Sequence, residues 1–187
     1  MERLAIMHIG IMSKSHFAID MNPGKIFEQD IRSSIPEDVH YTRLRDPILK
    51  NKGDGSGYTF GDRCPYDCII YRYPHQYCLE LKSTAGTSIS YYGASPMIKA
   101  HQIEELAKAA SHPGVIAGLV LNYRKSGRTW FVDIRDFQCY ADASTKKSLN
   151  QHDCESIGTE IHAELKRVHY HYNLSPLFRC GQERLEA

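Results

Sequence analysis

The chain has 187 residues, 42% hydrophobic and 24% charged, which are ordinary values for one globular domain or one domain with short arms. Its 23 basic and 22 acidic side chains leave a formal charge of +1. That balance excludes a bulk polycation, so any nucleic-acid surface must come from local segregation of charge. The 6 cysteines form no Cys-x-x-Cys pair and follow no signal-peptide cleavage pattern, so the chain reads as reduced and cytoplasmic. Cys154, His169, His171 and Cys180 have the spacing of no standard zinc site.

Met1 to Met12 are apolar but too few to span a bilayer, and Glu2, Arg3 and His8 interrupt them, so no membrane association is expected. Residues 1–21 read as a poorly patterned extension, with the functional chain expected to begin at Met21. Asn22-Pro23 then predicts a helix start, an N-cap with proline at the first helical position. Ile26, Phe27 and Ile31 form its apolar stripe, Glu28 lies close to that stripe, and Pro36 ends the helix. From Arg43 to Asp62 the pattern is that of a loop, with Asp54-Gly55-Ser56-Gly57 as its turn signal.

Residues 67–73 and 77–82 read as two strands joined around Pro74-His75. Ser95-Pro96 opens a predicted helix to about Ser111, with Ile103, Leu106, Ala107 and Ala110 on one face. Val115 to Tyr123 is a nearly continuous apolar run, typical of a buried central strand. A basic turn from Arg124 to Arg128 leads into a partner strand, Thr129 to Ile134. Beyond Tyr140 the chain is polar; Ser148 and Gln151 have capping-box spacing, and Gly158 suits a helix end. Residues 161–172 suggest an edge strand, and 176–187 a tail. The order predicts an α/β domain over 22–175, a mixed β-sheet flanked by helices.

Alternation along residues 77–82 puts Tyr77, Leu79 and Leu81 on one face and Cys78, Glu80 and Lys82 on the other. With the hairpin turning on Pro74-His75, Asp67 is expected opposite Lys82 and diagonal to Glu80, on the same face. Two acids and a lysine so placed suit phosphodiester hydrolysis. Magnesium takes oxygen ligands, commonly one or two carboxylates with substrate phosphate. Asp67 and Glu80 supply the carboxylates, the Leu81 carbonyl a further oxygen, and Lys82 an electrostatic or water-orienting group. Glu28 is the candidate for an additional acid. Cross-strand charge pairs also decorate exposed sheets, so spacing alone leaves both readings open.

The run Asp67-x12-Glu80-x-Lys82 resembles the PD-(D/E)xK nuclease motif, with Tyr66 in place of the usual proline and Pro65 one position earlier. Gly24-Lys25-x-Phe27-Glu28, Lys82-Ser83-Thr84, His101-Gln102-Ile103-Glu104 and Gly118 to Arg124 are similar, in order and spacing, to RecU-type Holliday junction resolvases and their phage relatives. Lys147-Ser148, Gly158 and Arg167 continue the similarity to about residue 175. The resemblance implies a restriction-endonuclease-like fold and a homodimer that resolves four-way DNA junctions by paired symmetric nicks. It implies Mg2+ (with Mn2+ able to substitute) on Asp67 and Glu80, catalytic Lys82 and Glu28, and Gln102 near the metal or scissile phosphate. RecU-type proteins carry a stalk between early strands; here the matching segment, Thr42 to Arg63, is short and glycine-rich.

Arg43, Arg45, Lys50, Lys52, Arg124, Lys125, Arg128, Lys146 and Lys147 lie in expected loops or turns and are the candidates for DNA phosphate contact. Asp46, before Pro47, reads as a turn cap. Two other functions fit the same residues: a related nuclease acting on flaps, ends or duplex, and a non-catalytic junction-binding accessory protein. Only a substrate panel with and without metal separates them.

Overall fold

In the computed structural model, which describes residues 22–45, 49–51, 58–60 and 63–186, the apolar run Val115–Tyr123 is the buried strand at the centre of the sheet. The elements run α1 (Pro23–Ser33), β1 (His40–Arg43), β2 (Leu49–Asn51), β3 (Tyr58–Phe60), β4 (Cys68–Arg72), β5 (His75–Thr84), β6 (Ser88–Ser90) and α2 (Ala100–Ala110). They continue with β7 (Val115–Tyr123), β8 (Arg128–Asp133), α3 (Ile134–Ala143), β9 (Ser148–Asn150), α4 (Gln151–Ile157), β10 (Thr159–Glu160), β11 (Ala163–Lys166), β12 (His169–Tyr172) and α5 (Ser175–Glu186). Six strands form one mixed sheet in the order β1-β4-β5-β7-β8-β10, in which β5 and β7 are parallel and the other pairs antiparallel. The fold class is therefore the expected one, a mixed sheet flanked by helices.

Alternation along the strands sorts side chains into two cores. Cys68, Ile70, Tyr77, Leu79, Leu81 and Val120 pack against Phe27 and Ile31 of α1, Tyr172 of β12 and Leu177 and Phe178 of α5. Cys78, Leu119, Leu121, Trp130 and Val132 pack against Leu106 of α2, Phe137 of α3 and Cys154 of α4. The segment expected as a tail thus forms α5 and buries Leu177 and Phe178 in the first core.

Gly118 shows why β7 and β8 approach so closely. A Cβ there would lie 2.4 Å from the Val132 carbonyl oxygen and 2.6 Å from Phe131 Cε2. Backbone cannot yield as a flexible side chain can, so Gly118→Ala is expected to cost about 1–3 kcal/mol, read as a lower urea midpoint.

Several expectations need correction. The loop expected from Arg43 to Asp62 contains strand: β1 reaches Arg43 and pairs with β4, and β2 and β3 form a two-stranded sheet inserted between them. The helix expected from Ser95 starts at Ala100. Ser90 explains the delay, since its hydroxyl and carbonyl oxygens accept the Met97 and Ile98 N–H groups and hold that stretch back against β6. The capping box falls two residues later than expected, on Asn150 and Asp153, while Ser148 belongs to β9. Residues 161–172 form no edge of the main sheet; β11 and β12 make a separate hairpin. Its β12 edge is covered by α1, where Asp30 Oδ2 accepts the Tyr170 N–H and Ser34 Oγ accepts the Tyr172 N–H. A helix face with acceptors four residues apart replaces the missing strand.

All six cysteines are free thiols. Among the described residues no group of three or more His, Cys, Asp or Glu side chains could hold a metal, which leaves the zinc arrangement without support. His169 instead meets Asp30, and Cys154 lies beside the Tyr123 hydroxyl. Among the described residues no helix is long and apolar enough to cross a membrane. Residues 1–21, Asp46, Lys52 and the 54–57 turn lie outside the described residues.

Candidate active site

The β4–β5 hairpin brings the acids together, in a register two residues from the expected one. Cys68 pairs with Leu79 and Arg72 with His75, so the turn is Tyr73-Pro74 and the next step places Asp67 opposite Glu80 rather than Lys82. A slip of two keeps every side chain on its expected face. Asp67, Glu80 and Lys82 therefore share the face that looks toward α2, but the two carboxylates are direct neighbours.

β4 pairing stops at Cys68, and Asp67 finishes the edge. Its N–H donates to the Leu79 carbonyl at 3.1 Å, and its carboxylate Oδ2 accepts the Leu81 N–H at 2.7 Å. The N–H and C=O of one strand residue point the same way, so the Leu81 carbonyl also faces the Asp67 side. Lys82 Nζ donates to Glu80 Oε1 at 2.6 Å. Gln102, in the first turn of α2, donates its Nε2 to the same oxygen at 2.6 Å. The Gln102 Oε1 accepts the Lys99 N–H at 2.9 Å and completes the start of the helix. Because that oxygen is taken by an N–H, the amide must turn its nitrogen to Glu80.

Glu80 is 1% exposed, and its second oxygen, Oε2, is buried with no hydrogen-bond donor. Burial, then the Asp67 carboxylate, push its pKa well above the usual carboxylate range, against the pull of Lys82. Burial raises Asp67 as well, opposed by the Leu81 N–H and Lys82. A buried acid with one donorless oxygen, beside a second, half-buried acid, is the pattern a cation completes. The donor set, two carboxylates and a carbonyl, fits a hard ion that keeps water, not zinc.

One step further along β5, Ser83 Oγ donates to Asn122 Oδ1 at 2.8 Å, and Asn122 Nδ2 donates to Thr129 Oγ1 at 2.9 Å. This ladder ties β5, β7 and β8 together beside Lys82. Glu28 pairs with Arg43 at 2.7 Å, and its charge acts on Asp67, raising its pKa.

The basic candidates divide. Arg43 is bound to Glu28, Lys146 to Asp153 at 2.6 Å, and Arg128 to Glu160 and Glu155 while stacking on Trp130 at 4.6 Å. Lys147 lies over the Tyr92 ring at 4.9 Å. Arg45, Arg124 and Lys125 are exposed, and Lys50 belongs to β2. Sequence reasoning missed Arg63 and Lys99, which line the acid cleft of about 440 Å³ with Asp67, Glu80, Gln102 and His101 of the quoted motif. Their signal was position alone, four residues before Asp67 and three before Gln102.

Fold and site together define an α/β protein with a buried and a half-buried acid, a lysine and a glutamine gathered on one face of a mixed sheet. The chain belongs to the family of the SPbeta prophage-derived uncharacterized protein YotM of Bacillus subtilis (strain 168), with which it is 30% identical over 177 residues, covering 86% of each chain. No protein-family model matches it. Among solved structures it is similar to Hjc of Archaeoglobus fulgidus, a Holliday junction resolvase from an archaeal hyperthermophile, with 14% identity, a TM-score of 0.48 and coverage of 72% of this chain and 93% of that one.

Proposed function

We propose that this protein is a Mg2+-dependent endonuclease that resolves four-way DNA junctions, acting as a homodimer that nicks two opposing strands. The observation that carries the reading is the half-buried Asp67 beside the buried Glu80, with its donorless oxygen, next to Lys82 in a solvent-open cleft. The ordered resemblance to RecU-type resolvases supports the choice of substrate, and a two-fold homodimer would place two sites on opposing strands.

Asp67 and Glu80, with the Leu81 carbonyl, would hold the ion, and Mn2+ would substitute for it. When bound, it supplies a water of lowered pKa and offsets negative charge on the phosphate. Gln102 and Lys82 fix Glu80 Oε1, which leaves Oε2 without a protein donor and able to help hold the ion. Lys82 has further protons beyond the one given to Glu80, and these would stabilise negative charge on a phosphate oxygen during hydrolysis. Glu28, whose charge reaches Asp67, would be the additional acid beside the ion, and Arg45, Arg124 and Lys125 are assigned to the surrounding DNA surface.

The test incubates the protein with labelled four-way junction, flap and duplex, in Mg2+ or EDTA, beside Glu80→Ala. Paired, religatable nicks in the junction alone, lost with EDTA and in the variant, are expected. Cutting of all three substrates would make it a general nuclease; binding without cutting would make it an accessory protein.

A further inference from the structure

We propose that Arg63, Lys99 and the first turn of α2 form an anion cradle that holds the DNA phosphate next to the scissile one. This rests on the nuclease reading and assigns the residues that hold the strand in the same cleft.

The cleft has two acids at its floor, and a DNA backbone entering it meets their repulsion. Lys82 offsets little of this from outside, because it is 19% exposed and bound to Glu80. Attraction must come from the rim. Arg63 and Lys99 line that rim, both are exposed, and among the described residues neither has a carboxylate partner. His101 lines the same cleft, and burial first, then the charges of Arg63, Lys99 and Lys82 against Glu104, hold its pKa below the usual value. A local positive field over an acidic floor is the result.

The 11-residue helix α2 adds the positive end of its dipole at the same place. Depth assigns the phosphates: the scissile group must reach Lys82, whereas Arg63 and Lys99 sit at the surface and meet its neighbour along the strand. The cradle reads shape and charge, not sequence.

Lys99 starts α2 through its backbone N–H, so Lys99→Ala leaves the helix start intact. The experiment measures anisotropy of a labelled four-way junction in EDTA over a range of salt, for wild type, the double variant Arg63→Ala/Lys99→Ala, and Lys99→Arg. The double variant is expected to bind about tenfold more weakly and to lose about 1 from the salt slope, because both side chains are assigned to one phosphate. Lys99→Arg is expected to keep both. In Mg2+, most of the loss in nicking should fall on KM rather than kcat. Unchanged affinity and slope, with wild type cutting, would overturn the cradle and leave the nuclease standing. A wild type that binds the junction but never cuts it would overturn the nuclease reading, while a reduced slope in the double variant would still support the cradle.

Discussion

Glu80→Gln is expected to give a protein that nicks junctions at least about 1000-fold more slowly, yet melts higher than wild type in EDTA. The loss follows from charge. A neutral amide cannot help to hold a divalent ion, and about 4 kcal/mol of transition-state stabilisation goes with it. The gain follows from what Glu80 endures without the ion. Its carboxylate is 1% exposed, faces Asp67, and has one oxygen with no donor. Glutamine keeps an oxygen for the Lys82 and Gln102 donors and turns an N–H2 toward Asp67, where repulsion stood before. Removing that mismatch is worth about 1–3 kcal/mol. Thermal unfolding with EDTA and with Mg2+ checks both halves. Wild type should gain from Mg2+, by about 2.7 kcal/mol at a hundredfold excess over Kd, and the variant should not. A variant that melts lower in EDTA and still cuts would remove Glu80 from the metal site.

The parts of this molecule that sequence alone made legible are those written in local pattern. The Asn22-Pro23 cap, the apolar run of β7 and the alternation of β5 each need only a few neighbouring residues, and each is where the pattern puts it. That the acids and lysine share a face needed only the period of two, which is why a two-residue error in register did no harm. Helix α3 was missed because its start lies directly on the end of β8. Asp133 ends the strand and caps the helix, its side chain accepting the Arg135 N–H, so Ile134 reads as more strand. Strands β6 and β9 are three residues each and pair across some sixty positions, which no local window can see.

Charge was least legible. Arg43, Arg128 and Lys146 look alike in sequence to Arg124 and Lys125, yet the first three are spent on Glu28, Glu160 and Asp153. Whether a loop cation is available depends on carboxylates that arrive from other elements. The same holds for Gln102, whose bond to Glu80 spans 22 positions and was accessible only through family resemblance. Lys99 and Arg63 carried no motif at all; chain proximity to Asp67 places Arg63, and only the closing of α2 over β5 brings Lys99 to the acids.

Asp67 separates structural from chemical duty more sharply than any other residue in the cleft. Its Oδ2 takes the Leu81 N–H at 2.7 Å where β4 ends, and its backbone binds Leu79 and Leu44. Asp67→Asn retains an acceptor for Leu81 and loses only the charge. Asp67→Ala loses both and leaves the Leu81 N–H short of its partner, at a cost of about 1–3 kcal/mol. Both variants are expected to nick junctions at least about 1000-fold more slowly than wild type. In urea without metal they should part: the asparagine variant unfolds near the wild-type midpoint or above it, because burial and Glu28 both oppose the charge it lacks, and the alanine variant unfolds well below. If Asp67→Asn cuts at close to the wild-type rate, Asp67 is an edge cap for β5 and the ion must be held by Glu80 without it.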